Sequence, residues 1–67
     1  MTVETFQPRF IAAAKLPALA NLWHLSRAAA SGRHERLLWT SKHFANENPE
    51  VSPTAAYKDL CDWLAWN

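Results

Sequence analysis

Apolar residues in this chain recur three and four positions apart, and no segment alternates apolar with polar over a useful length. The first pattern builds one face of a helix; a half-buried strand needs the second. Hairpin dipeptides of the Asn-Gly or Asp-Gly kind are absent as well. The expectation is an all-α fold of three to four short helices.

Proline and glycine place the breaks. A first helix is expected near Pro8, running through Phe10, Ile11 and the Ala12 to Ala14 run. Pro17 disfavours helical geometry at Leu16, so a break belongs there. The second helix starts on Pro17 and carries Leu19, Leu22, Trp23, Ser26 and Ala30, with Gly32 placed to cap its C-terminus. The third covers about Arg33 to Asn46, with Leu37, Leu38, Ser41, Phe44 and Ala45 as its apolar stripe. Asn46 to Pro49 reads as a turn. Ser52 is then a preferred N-cap and Pro53 fits the first helical position of a fourth helix, where Tyr57, Leu60, Cys61 and Leu64 share a face.

With 67 residues, the chain is read as one small helical domain, residues 1–67, of which 1–6 are expected to be loosely ordered. A chain this short buries only about 60% of its unfolded surface, so its core is marginal without reinforcement. Cys61 is the only cysteine, which removes the intramolecular disulfide and fits a reducing, cytoplasmic setting. What remains is dense packing, for which four tryptophans and three phenylalanines supply the area, and self-association as a homodimer. The stretch Phe10 to Leu25 is broken by Lys15, Pro17, Asn21 and His24, too polar to span a bilayer, and Glu4 with no basic cluster is unlike a secretory signal.

Net charge is +1, yet its distribution is uneven. Arg27, Arg33, Arg36 and Lys42 face only Glu35 in residues 24–45, whereas Glu47, Glu50, Asp59 and Asp62 face only Lys58 in 46–67. Such a dipolar chain suits self-docking or a charge-matched partner. Trp39 lies roughly 160° around its helix from Leu37, beside Arg36 and His43, and Trp66 lies roughly 180° from Tyr57, beside Asp59 and Asp62. Arg36, Trp39, His43 and Trp66 are therefore the candidate partner-binding residues, since tryptophan and arginine are the usual anchors of binding hot spots.

Catalysis finds little support. His24, His34 and His43 make no i, i+4 pair with one another or with Cys61, so neither a metal nor a cofactor is expected. Cys61 is read as a small buried hydrophobe, and Asp59 with Asp62 as a solvated helix face. One glycine cannot form a phosphate-cradling loop. The expectation is a protein that is not an enzyme.

Residues Val51-Ser52-Pro53-Thr54-Ala55-Ala56-Tyr57-Lys58-Asp59-Leu60 resemble the start of the recognition helix in bacterial helix-turn-helix repressors. The resemblance spans ten residues. It implies a helix-turn-helix-like arrangement in which Ser52 caps the helix, Pro53, Thr54, Ala55 and Lys58 face the DNA major groove, and Tyr57 and Leu60 anchor the core. Glu50 stands where such repressors usually carry glycine, and Asp59 and Asp62 oppose phosphate contacts. In overall build the chain is similar to the small accessory proteins of phages and mobile elements, which bind a host protein and block or redirect it. The leading expectation is thus a non-enzymatic interaction protein that occludes a functional surface of a bacterial host protein. A DNA-binding regulator using residues 52–66 is the alternative.

Overall fold

The structure, a computed structural model, describes residues 5–66. Residues 1–4, the greater part of the start expected to be loosely ordered, lie outside it, as does Asn67. A 3-10 turn at Ala13–Lys15 leads into α1 (Leu16–Ala29), α2 (Arg33–Glu47) and α3 (Pro53–Trp66). No strand occurs among the described residues, and the fold is all-α with three helices.

The helix expected from Pro8 to Ala14 does not form. Residues 6–12 run as a non-helical strap, with Ala12 extended (φ −66°, ψ 142°), and only the 3-10 turn follows. Residues 9–11 are held instead by a residue 48 to 50 positions along the chain. Asp59, on α3 and wholly buried, accepts hydrogen bonds from the backbone N–H groups of Arg9 (3.0 Å), Phe10 (2.8 Å) and Ile11 (2.7 Å). Three successive amides converging on one carboxylate tie this segment to α3 through charge-assisted bonds. The strap thereby seats Phe6 and Ile11 in the core, at 6% and 4% exposure. Asp59 is therefore not part of a solvated face. It joins the first segment of the chain to the last helix.

Local signals elsewhere act with some displacement. Pro17 does sit in the first turn of α1, but Leu16 is helical (φ −58°, ψ −40°), so the break precedes Leu16. Gly32 does not cap α1 in a left-handed conformation. Its φ of −101° and ψ of 155° are extended, and it serves as the N-cap of α2; α1 closes on Ala30. Ser52 behaves as its sequence context requires: its Oγ accepts from the Ala55 N–H at 3.1 Å, its carbonyl accepts from the Ala56 N–H, and Pro53 opens α3.

The core gathers Leu16, Leu19, Leu22 and Trp23 of α1, Leu37 and Phe44 of α2, Val51 of the turn, and Ala56, Leu60 and Trp63 of α3. Phe44, Leu19 and Leu60 are fully enclosed. On α3 the buried face is Ala56, Asp59, Leu60 and Trp63, about one residue's turn away from the expected stripe, so that Tyr57, Cys61 and Leu64 are half-buried at its edge. On α2, Leu38 leaves the expected stripe and is 49% exposed, its place in the core taken by Thr40. Thr40 is fully buried, and its hydroxyl has no hydrogen-bond partner among the described residues. Ser41 and Asn48, also buried, bond to carbonyls of α2 at Leu37 (2.9 Å) and Phe44 (3.1 Å).

Candidate functional site

Of the four residues singled out for partner binding, Arg36 is engaged within the chain. Its Nε donates to the Ser26 hydroxyl and its Nη2 to the Trp23 carbonyl, each at 2.9 Å, and its guanidinium lies 3.9 Å from the centre of the Trp23 ring. Ser26 in turn donates to the same Trp23 carbonyl. A planar guanidinium can stack and donate at once, which lysine cannot. This cluster ties α2 to α1.

Trp39 and His43 form a stacked pair, centroids 4.1 Å apart and planes 24° from parallel. His43 Nδ1 lies 2.9 Å from the Trp39 carbonyl. A carbonyl only accepts, so the proton sits on Nδ1 in this arrangement. Both rings are half-buried, Trp39 packing against the rim of the core. Trp66 is 42% exposed and meets Phe6 edge-on at 6.1 Å. The structure does not bring the four residues into one patch: Arg36 is turned toward α1, the stack lies along α2, and Trp66 closes the strap's end of the molecule.

The residues of the alternative reading stand closer together. Thr54 and Lys58 are one turn apart and exposed, and Ser52 caps the helix they lie on. Ala55, expected to face outward with them, is half-buried against the core. Five residues, 48–52, separate α2 from α3, a longer link than the three or four residues usual between such helices. Burial of Asp59 also removes one of the two carboxylates from the outer face of α3, leaving Asp62 exposed there.

The feature that sequence reasoning missed is an open groove between α2 and α3, of about 670 Å³, lined by Leu38, Ser41 and Lys42 from one side and Pro53, Thr54, Tyr57 and Lys58 from the other. Its volume falls in the range of about 300–1,000 Å³ typical of binding pockets. Each wall is a ridge of residues three and four apart, the form a helix surface takes when another helix packs into it. One signal for it was present in the sequence. Leu37 and Leu38 are neighbours, and adjacent helical positions diverge by about 100°, so both could not reach the centre of the same stripe.

No family model, curated protein or solved structure matches this chain.

A second, smaller hollow shares Tyr57 and Lys58 with the groove and adds Arg9, Phe10, Cys61 and Asp62. Phe10 is 49% exposed, and the Lys58 ammonium lies 5.9 Å from its ring. Cys61, half-buried, contributes to this hollow rather than to the core proper. Among the described residues no three or more histidine, cysteine, aspartate or glutamate side chains are grouped to hold a metal ion, and no helix is long and apolar enough to cross a membrane.

Proposed function

We propose that this protein is a non-enzymatic interaction module that binds a bacterial host protein and masks part of its surface, and that the groove between α2 and α3 is the face it presents. The observation that carries this reading is Leu38, half-exposed on α2 and set opposite Pro53 and Tyr57 in an apolar channel. A leucine so placed contributes little to the chain's own core. Covering the exposed half of it against a partner is worth about 0.7–1.5 kcal/mol. The Trp39–His43 stack, on the same helix as Leu38, is a secondary contact of this face, and Arg36 supports it by holding α2 to α1.

Self-association belongs to the same proposal but to residues outside the groove. Leu25 on α1 is 54% exposed and Trp66 is 42% exposed, and neither lines the groove. Burying both is the gain that pairing offers a small domain. Light scattering over a dilution series reads it.

The test of the main reading is site-specific photo-crosslinking in cells of the source organism. A photoreactive residue replacing Leu38 is expected to capture a protein, and one replacing exposed Ala13 is not. No protein adduct at position 38, or equal adducts at both positions, overturns the reading. DNA binding by α3 remains the second reading, favoured by the withdrawal of Asp59 from the surface around Thr54, Lys58 and Lys42. It requires duplex retention that falls steeply with salt.

A further inference from the structure

The charges around the groove are placed to select its occupant. Lys42 stands on the α2 wall and Lys58 on the α3 wall, so a cation flanks the apolar floor of Leu38, Pro53 and Tyr57 on both sides. Among the described residues, no carboxylate lines it. The Ser41 hydroxyl is committed to the Leu37 and Leu38 carbonyls of its own helix, at 2.9 and 3.2 Å, and offers a visitor little. The adjoining hollow extends the pattern, adding Arg9 and the exposed Phe10 against one carboxylate, Asp62.

The shape is equally selective. The groove runs between two helices, and each of its walls is a helix surface. Two ridges at i, i+3 and i+4 spacing receive a helical ridge better than an extended strand, whose backbone would find no unpaired sheet edge to bond.

Resting on the protein-binding reading above, we infer that the groove receives an amphipathic helix of the partner whose apolar anchors are flanked by acidic residues. A second copy of this chain is a poor occupant. α1 carries no acidic residue, the carboxylates of α2 are Glu35 and Glu47 at opposite ends of the helix, and α3 exposes Asp62 alone. None of the three helices displays the acidic-flanked stripe that two lysines would select.

The experiment is a selection of random 16-residue peptides displayed on phage against the full chain, followed by anisotropy titrations of the enriched sequences. The expected winners are acidic, with apolar residues at helical spacing. Their affinity is expected to fall at least tenfold on Leu38→Glu and at least tenfold on Lys42→Glu combined with Lys58→Glu. The effect of the lysine reversals should shrink between about 50 mM and 1 M salt, as screening shortens. Lysine-for-glutamate versions of the same peptides should regain binding on the charge-reversed protein. All three positions are exposed, and unchanged helical circular dichroism and urea midpoints confirm that the variants fold. Enriched peptides that are neutral or basic, yet still lost on Leu38→Glu, keep the groove as the interface and overturn its acidic selectivity. Peptides indifferent to Leu38→Glu, or no enrichment at all, overturn both.

Discussion

Asp59→Ala tests the central structural claim, that one buried carboxylate determines the course of the first segment. The carboxylate accepts three backbone N–H bonds at 3.0, 2.8 and 2.7 Å and is itself fully enclosed. Hydrogen bonds to a charged group contribute about 1.5–3 kcal/mol each. The full sum is not what the variant loses, because the strap has an escape. It can detach, rehydrating its amides and recovering about 1–2 kcal/mol of backbone freedom per residue. Detachment forfeits the burial of Phe6 and Ile11, about 1.5–3 kcal/mol apiece. The docking energy of the strap therefore caps the loss, and we expect a cost of about 2–4 kcal/mol. A domain of this length has about 3–10 kcal/mol in hand, so the variant should sit near the edge of stability. Asparagine at the same position keeps one acceptor but turns an N–H₂ donor toward backbone donors, and should lose nearly as much. Urea denaturation followed by tryptophan fluorescence measures the loss. Hydrogen exchange at the amides of Arg9, Phe10 and Ile11 reports detachment directly. Asp62→Ala, which removes the same charge from an exposed position, should stay within about 0.5 kcal/mol. If Asp59→Ala matches Asp62→Ala in midpoint and leaves the three amides protected, the carboxylate does not hold the strap and the reasoning fails.

Three further outcomes follow from the same packing. Thr40→Val exchanges a buried, unpartnered hydroxyl for a methyl of similar size and should raise stability by about 1 kcal/mol, read as a higher urea midpoint; a lower one would show that the hydroxyl is satisfied in solution. Arg36→Lys keeps the charge but loses the stacked fork, and is expected to cost about 1–3 kcal/mol with near-ultraviolet dichroism of Trp23 altered. An unchanged midpoint would mean that the cluster is ornamental. Ser52→Ala removes the cap of α3 and should cost about 1 kcal/mol, whereas Thr54→Ala, exposed and uncapping, should cost much less.

Much of the helical framework was legible because its signals act over a few residues. Ser52 and Pro53 mark the start of α3 through bonds and dihedrals confined to the first turn, and the spacing of Leu37, Ser41, Phe44 and Ala45 marks α2 with its buried side. Pro17 located α1 to within one residue. The candidate surface was far less legible. Leu38 read as core because it adjoins Leu37, and Trp39 and Arg36 read as a joint patch because helical angles record direction but not which neighbour waits there. Trp63, a core residue at 7% exposure, lay outside the expected stripe of α3.

What the amino-acid order determined by itself is the presence of short helices and the places where three of their ends fall, since caps, prolines and apolar periodicity depend on near neighbours. What only the tertiary structure decided is which way each helix is turned and how residues 6–12 run. Asp59 and the amides it binds are 48 to 50 positions apart, a separation across which no local pattern can pair a carboxylate with three backbone donors. The inner face of α3, on which Asp59 lies, is formed by Ala56, Asp59, Leu60 and Trp63. Tyr57 and Lys58 are then left to line the open groove with Leu38 and Lys42.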